Sequence, residues 1–218
     1  LSRAQGCFMG QLCGDALGSQ LEFMTPQQVA QQPTECRRDL VGGGPFGLIA
    51  GQPTDDSEMA LLLAHTLVGA DRYHAEAAWE AYEQWLVSRP FDMGNTIVSA
   101  LSGHPQPESQ ANGALMRISP LGIFGAARDP RQVAGWARED AALTHPHVVC
   151  CDANALFAAA VAVAVGEGVG AGDLYARITG WCDDWGVDAE LAKIVRKAAD
   201  HPPADCTDHA GWVLIALQ

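Results

Sequence analysis

Acidic and hydroxyl side chains meet in one short segment, Thr54-Asp55-Asp56-Ser57, directly before the apolar run 60–64. This pattern predicts the start of a helix, where carboxylates accept free N–H groups and meet the positive end of the helix dipole. The same oxygens are ligands that Mg²⁺ prefers, so a hard-cation site is a second interpretation. The two are compatible, because N-terminal N–H groups also keep acids ionised.

Asp15 and Glu22 form a second acidic group. Asp15 lies among small and apolar residues, where a carboxylate needs a hydrogen-bond donor or a cation as its partner. Glu22 comes one helical turn after Gly18, so it projects toward the same place if the first helix continues that far.

Glycine recurs every four residues in this helix and forms one stripe, made of Gly6, Gly10, Gly14 and Gly18. Each glycine costs about 1 kcal/mol relative to alanine, so the stripe needs a compensating contact. We expect close helix packing at Gly6 and Gly10, and close approach of a ligand at Gly14 and Gly18.

Two further segments could bind a ligand. Asn112 and Gly113 form a turn signal before Met116 and Arg117. This is either a plain loop-to-helix junction or a set of free N–H groups suited to a diphosphate. His145 precedes an apolar helix, where it is either a packed structural residue or a contact to phosphate or ribose.

The elements that position these residues are predicted to be helices. Apolar periodicity indicates an all-α fold with one domain over residues 1–218, and alternating strand segments are scarce. The predicted helices span 3–22, 57–70, 74–88, 93–102, 130–143, 148–165, 172–185 and 189–199. Loops are predicted at 26–56 and 103–112, and the first is long enough to indicate a function.

Composition limits the partners. The 13 Lys and Arg against 26 Asp and Glu give a formal charge of −13, which disfavours nucleic acid and anionic membranes. The longest nearly apolar run, 153–165, is shorter than the roughly 20 residues of a membrane helix. Seven cysteines without zinc-site spacing indicate reduced thiols of a cytoplasmic protein. The apolar stretch 211–218 has no cap after it, so we expect the natural chain to continue beyond Gln218.

In this order, four motifs make the sequence resemble the ADP-ribosylglycohydrolase family, which includes dinitrogenase reductase-activating glycohydrolases and ADP-ribosylarginine hydrolases. They are Gly14-Asp15-x-x-Gly18-x-x-x-Glu22, Thr54-Asp55-Asp56-Ser57, Asn112-Gly113-x-x-Met116-Arg117 and Thr144-His145-Pro146. The resemblance covers essentially the whole chain, and the order and distances of the motifs make it specific. It favours a cation site at Asp55 and Asp56 over capping alone.

The resemblance implies an orthogonally packed all-α bundle with two Mg²⁺ or Mn²⁺ ions in a central cleft. Such an enzyme hydrolyses the glycosidic bond between ADP-ribose and a protein side chain, with arginine as the expected acceptor. By motif, Thr54, Asp55 and Asp56 are expected to be metal ligands, and Glu22, Asp55 and Asp56 to be catalytic. The expected substrate-binding residues are Gly14, Asp15, Asn112, Gly113, Met116, Arg117 and His145.

The family's second metal motif, Gly-Gly-Asp-Thr-Asp-Thr, does not occur in these 218 residues. The bundle is therefore expected to be truncated at its C-terminal end. The complete enzyme would hold two ions, and these residues alone would hold one or none.

Other functions remain open. An immunity-type protein that occludes a cognate ADP-ribosyltransferase would use the same fold and its acidic surface, with or without hydrolysis. Hydrolysis of a small ADP-ribose conjugate or of a modified nucleic-acid base is a further alternative. A purely structural role is disfavoured by the presence of Thr54, Asp55, Asp56, Glu22 and His145.

Overall fold

The computed structural model of the protein describes residues 1–199, apart from the side chain of Arg37. Every regular element in this part of the chain is helical, which confirms the predicted all-α bundle. The α-helices are α1 (Ser2–Gly18), α2 (Pro26–Gln31), α3 (Asp55–Leu67), α4 (Ala75–Val87), α5 (Asn95–Leu101), α6 (Ser119–Phe124), α7 (Pro130–Thr144), α8 (Val148–Glu167), α9 (Ala171–Asp184) and α10 (Ala189–Lys197). Short 3-10 turns lie at Glu35–Arg37 and Leu115–Arg117. The predicted apolar stretch 211–218 lies outside the described residues.

Helix α8 is the central element of the bundle. It packs mainly against α7 and α6, and it also contacts α1, α9 and α10. By length and composition α8 could cross a membrane, but 67% of its most apolar window is buried inside the bundle. A helix that is apolar on every side and buried in this way is a core helix. The helix begins at Val148 as predicted and ends at Glu167, two residues beyond the predicted end at 165.

The predicted loop 26–56 contains a helix that sequence reasoning missed. The Thr25 hydroxyl accepts a hydrogen bond from the backbone N–H of Gln28 at 3.2 Å, and the Gln28 side chain accepts one from the backbone N–H of Thr25 at 2.7 Å. This reciprocal capping box, with Pro26 at the first helical position, starts α2. The signal was present in the sequence. Helix α6 was also missed, because its six residues are too short to show a period.

The glycine stripe of α1 is open rather than packed. A Cβ atom built at Gly6, Gly10, Gly14 or Gly18 meets no atom within 4 Å in the described structure. The predicted helix packing at Gly6 and Gly10 is therefore wrong for this part of the chain. Helix α1 buries only Ala16 and docks through Gln11, whose side-chain amide donates to the carbonyl oxygen of Met116 at 2.8 Å.

Helix α1 also ends earlier than predicted, at Gly18 rather than residue 22. The chain then turns back through Phe23, whose φ of +60° lies in the left-handed region. Buried Gln20 ties this turn to the glycine-rich loop, because its side-chain oxygen accepts hydrogen bonds from the N–H groups of Val41 (2.7 Å) and Gly42 (2.6 Å). The loop is thereby held beside the end of α1.

Candidate functional site

Asp15 caps the N-terminus of α3 from another helix. Its carboxylate accepts hydrogen bonds from the backbone N–H groups of Thr54 (2.9 Å) and Ser57 (3.1 Å), and from both hydroxyls at 2.7 and 2.5 Å. Thr54, the residue in the N-cap position, makes no side-chain cap of its own. Asp15, which was predicted to contact substrate, therefore acts as a helix cap in the structure. The hydrogen-bond donors that its carboxylate needs come from the start of α3.

Because Asp15 supplies the cap, Asp55 and Asp56 are free of that role. The Asp55 carboxylate accepts one hydrogen bond, from the backbone N–H of Gly94 at 3.2 Å. The Asp56 carboxylate has no hydrogen-bond partner within the described residues. Of the two interpretations left open by the sequence, capping by these two acids is therefore not what the structure shows. Their oxygens remain available to a ligand or cation.

The carboxylates of the cleft raise one another's pKa values. Burial, together with repulsion from Asp92, Asp55 and Asp15, raises the pKa of Glu22 to about 7. Burial and repulsion from its acidic neighbours raise the pKa of Asp56 to about 7 and that of Asp55 to about 6. Such shifts mark a crowded negative site that a cation would neutralise.

Asp92 is a member of this cluster that sequence reasoning missed. It lies in the loop between α4 and α5, and its own pKa is raised by burial and by Asp15. Its negative charge contributes to the shifts of Glu22, Asp55 and Asp56. No regular pattern marks a single acid in a loop, and only the neighbouring Gly94, which donates to Asp55, ties this segment to the site.

Two cavities meet at Asp56. One, of about 270 Å³, is lined by Glu22, Gly14 and Gly18 together with Asp15, Ser19, Thr54 and Asp56. The other, of about 390 Å³, lies between α1 and the loop before α6 and is lined by Cys7, Gln11, Asp56, Asn112, Leu115, Met116, Ser119 and Phe157. Three of the predicted motifs therefore border one continuous region. A separate apolar cavity of about 320 Å³ on α1, α3 and α6 contains none of these residues.

The loop before α6 presents backbone donors. The carbonyl oxygen of Asn112 accepts hydrogen bonds from the N–H groups of Leu115 (2.7 Å) and Met116 (3.1 Å), which forms the 3-10 turn. The N–H groups of Gly113 and Ala114 have no acceptor within the described residues. Ala114 is completely buried, so of these two N–H groups the one of Gly113 is the candidate donor to an anionic oxygen.

The His145 ring packs against this loop from inside the core. Its side chain is fully buried, and Nδ1 shares a hydrogen bond with the Thr144 hydroxyl at 2.8 Å. A Cβ atom on Gly113 would lie 3.1 Å from Nε2, which has no partner within the described residues. Burial and the nearby Arg117 lower the pKa of His145 to about 3, so the ring is neutral. The His145 ring is thus buried behind Gly113 and exposes no atom to the cleft.

Arg117 lies in the core, and its expected contact with substrate needs correction. The guanidinium is fully buried, pairs with Asp140 at 3.0 Å, donates to the Thr144 hydroxyl at 2.9 Å and stacks 4.3 Å from the Tyr82 ring centre. Tyr73 and Tyr82 donate to the second oxygen of Asp140. With its donors used internally, Arg117 holds α6, α7 and α4 together and does not line the cleft.

The residues expected to bind a metal lie together at the start of α3. Thr54, Asp55 and Asp56 provide hard oxygen donors, and the last two lack the cap contacts that would otherwise occupy them. Within residues 1–199, however, no group of three or more His, Cys, Asp or Glu side chains stands at metal-binding distances. Carboxylate and hydroxyl oxygens are ligands that Mg²⁺ prefers, and the role of these three residues as metal ligands stays a prediction.

The sequence profile of the ADP-ribosylglycohydrolase family matches residues 1–218. The chain belongs to this family. Its relatives include the ADP-ribosyl-[dinitrogen reductase] glycohydrolase of Rhodospirillum rubrum, 37% identical over 154 residues, and the ADP-ribosylarginine hydrolase Tri1 of Pseudomonas putida (strain GB-1), 36% identical over 141 residues. These matches cover 66% and 57% of this chain but only 52% and 36% of the relatives, so the chain spans about half their length or less.

A solved structure agrees with this ADP-ribosylglycohydrolase assignment. The structure, described as an ADP-ribosylglycohydrolase-related protein complex, superposes with a TM-score of 0.81 at 25% identity. The match covers 99% of this chain and 72% of that chain. The resemblance drawn from the four motifs is thereby confirmed, and the roles of the individual site residues remain predictions.

Proposed function

We propose that the protein hydrolyses the glycosidic bond between ADP-ribose and a protein side chain, with arginine as the acceptor and Mg²⁺ or Mn²⁺ as cofactor. The observation that carries this proposal is that Glu22 and Asp56 line one cavity, with Asp55 next to Asp56 in the chain and Asp15 taking over the cap. Two relatives support the substrate class, because one is named as an ADP-ribosylarginine hydrolase and the other as a glycohydrolase of ADP-ribosylated dinitrogen reductase.

The two cavities suggest how an ADP-ribosyl group would lie. The N–H group of Gly113, which has no acceptor among the described residues, suits the diphosphate, so the cavity beside Asn112 and Met116 would take the nucleotide side. The cavity beside Glu22 would then take the ribose that carries the acceptor. The glycines at 14 and 18 leave that cavity open, as expected for close approach of a ligand.

Thr54, Asp55 and Asp56 would hold the divalent cation. When bound, such an ion lowers the pKa of water and neutralises developing negative charge. It would also keep Asp55 and Asp56 ionised, which reverses the pKa shifts that their mutual repulsion produces.

Hydrolysis requires a balanced pair of proton movements. The bond from the anomeric carbon to the acceptor nitrogen breaks and a bond to the water oxygen forms, while one proton leaves the water and one reaches the departing nitrogen. In the protein without metal, burial and repulsion from Asp92, Asp55 and Asp15 raise the pKa of Glu22 to about 7, which favours a role in proton transfer. Glu22 can accept the proton from water and return it to the leaving guanidine. The neighbouring carboxylates favour positive charge as it develops on the ribose.

The test compares wild-type protein with Asp55→Ala plus Asp56→Ala. We expect release of ADP-ribose from an arginine-modified protein in the presence of Mg²⁺ or Mn²⁺, little release with a chelator, and a loss of at least 100-fold in the double variant. Asp183→Ala serves as the control for a lost carboxylate, because Asp183 lies on α9 and forms an exposed ion pair with Arg196 of α10. Undiminished release by the double variant would falsify the proposal.

A binding role is the second candidate, since a surface with a formal charge of −13 fits a basic partner. As an immunity protein, the chain would occlude a cognate ADP-ribosyltransferase. Protection from that transferase would then survive loss of Asp55 and Asp56, whereas protection by hydrolysis would not.

We also propose a cytoplasmic location, which is supported by six free cysteines among the described residues.

A further inference from the structure

Three phenylalanines from three separate loops form a ladder beside the carboxylate cleft. Phe23 and Phe46 pack edge to face with ring centres 6.2 Å apart, and Phe46 and Phe91 do the same at 5.4 Å. Phe23 is 78% exposed and Phe91 is 43% exposed. The Phe23 ring therefore contributes little buried area to the fold.

Each end of the ladder is attached to a cleft carboxylate. Phe23 directly follows Glu22, and Phe91 directly precedes Asp92. These two carboxylates interact, because Asp92 raises the pKa of Glu22, while Gly94 in the same loop donates to Asp55. The middle ring belongs to the glycine-rich loop, which Gln20 ties to the turn after α1. The ladder therefore begins next to Glu22, which lines one of the two cavities, and ends at Phe91, which lines a separate cavity against α3 and α4.

The backbone that presents the ladder is strained. Phe23 (φ +60°) and Arg89 (φ +56°) are the non-glycine residues with positive φ among those described. Each such conformation costs about 1–3 kcal/mol and is typical of functional sites. One holds the outermost ring itself, and the other starts the turn that presents Phe91 and Asp92.

The same loops concentrate exposed apolar surface. Of the thirteen large hydrophobic side chains exposed in the described residues, six lie in these loops. They are Phe23, Leu40, Val41, Ile49, Phe91 and Met93. An apolar patch of this kind, rimmed by carboxylates, indicates a binding surface.

We propose that the Phe23–Phe46–Phe91 ladder is the acceptor subsite, which stacks against the cationic guanidinium of the modified arginine and the adjoining peptide. This inference rests on the proposed function and adds to it the residues that select the acceptor. Aromatic faces attract cations, and Glu22 and Asp92 add negative charge beside them, so the subsite fits a cation and not the anionic diphosphate. An uncharged acceptor such as serine gains neither contribution.

The test uses full-length protein and a fluorescent peptide carrying ADP-ribosylated arginine. Phe23→Leu and Phe91→Leu keep an apolar side chain but remove the aromatic face. We expect each to lower kcat/KM for this peptide about 2- to 5-fold, mainly through KM, and the double variant about 10-fold. Phe91→Trp should restore wild-type KM, and inhibition by free ADP-ribose should stay within twofold of wild type in every variant. Val87→Ala, at an exposed apolar residue at the end of α4, is the control.

Binding of the same peptide, followed by fluorescence anisotropy with the Asp55→Ala plus Asp56→Ala protein, separates this inference from the proposed function. Suppose that wild-type protein releases no ADP-ribose, and that the leucine substitutions lower the affinity for the peptide. The proposed hydrolysis then fails and the acceptor subsite stands. Leucine variants with wild-type KM and affinity overturn the subsite. So does an equal loss of affinity for free ADP-ribose, because that outcome indicates general damage to the cleft.

Discussion

Asp15 accepts two hydrogen bonds from Thr54, one from its backbone N–H at 2.9 Å and one from its hydroxyl at 2.7 Å. Through this contact α1 determines how α3 begins and leaves Asp55 and Asp56 without a cap to supply. Stability and the geometry of the carboxylate cleft therefore depend on the same side chain.

Replacing Asp15 should therefore damage both properties. We expect Asp15→Ala to lower the free energy of unfolding by about 2 kcal/mol, because a helix cap is lost and two hydroxyls lose their acceptor. The variant should also lose any Mg²⁺-dependent rise in melting temperature. Asp188→Ala removes an exposed cap of α10 that accepts from Glu190 and Leu191, so it should cost about 1 kcal/mol and leave the Mg²⁺ response intact. Urea titration measures the free energy of unfolding, and thermal melts with and without Mg²⁺ measure the rise in melting temperature. An equal rise in the two variants would contradict the prediction.

Asp56 should make the metal-free protein less stable as the pH rises. Its pKa is about 7 in the folded state and near 4 when unfolded, so the folded protein binds more protons between these values. The free energy of unfolding then falls as the pH rises from about 4 through 7. We expect Asp56→Asn to be more stable than wild type at pH 8 by at least about 1 kcal/mol, or roughly 2–4 °C, and the difference to shrink at pH 5.

Thermal melts in chelator at several pH values test this expectation. Asp183→Asn, at an exposed carboxylate, controls for the loss of one charge. Equal melting temperatures of wild type and Asp56→Asn at pH 8 would show that the Asp56 carboxylate is not destabilised by its neighbours.

The buried Arg117–Asp140 pair should be essential to folding. Removing one partner leaves the other charge buried and uncompensated, so we expect Arg117→Ala to cost about 3–5 kcal/mol. Arg196→Ala breaks an exposed pair with Asp183 and should cost less than about 1 kcal/mol. Urea denaturation of both variants measures the difference. A mild Arg117→Ala variant that lost affinity for ADP-ribose would instead support the substrate contact first expected from the motif.

His145 should stay neutral wherever the protein is folded. Burial and the positive charge of Arg117 lower its pKa to about 3, below the usual value near 6.5. Side-chain ¹⁵N NMR should therefore show no titration of this ring between pH 5 and 8. A His145 midpoint above pH 5 would mean that the ring reaches solvent.

Sequence patterns predicted the larger helices well, because each buries an apolar face whose period can be read. Helices α7 and α10 begin at Asp129 and Asp188 as expected, since both side chains cap the first turn. Sequence reasoning failed where the cause lies in another segment. The capping of α3 by Asp15 joins residues about forty positions apart, and no local pattern contains it.

The site was predicted in part for the same reason. Glu22, Asp55 and Asp56 converge as the motifs implied, because short turns and a helix start hold them. Asp92 was missed because it is a single loop acid whose position depends on tertiary contacts with Asp55. Arg117 was misassigned because its partner, Asp140, lies on another helix.

The open face of α1 has a consequence for local dynamics. With only Ala16 buried and no described atom near its glycines, α1 depends on polar contacts of Arg3, Gln11 and Asp15 within the described residues, so it is a candidate for opening without global unfolding. Each such opening would expose the amide protons of Thr54 and Ser57 to solvent. Deuterium uptake at these two amides would therefore report how often the carboxylate cleft comes apart, and a ligand bound between α1 and α3 would slow that uptake.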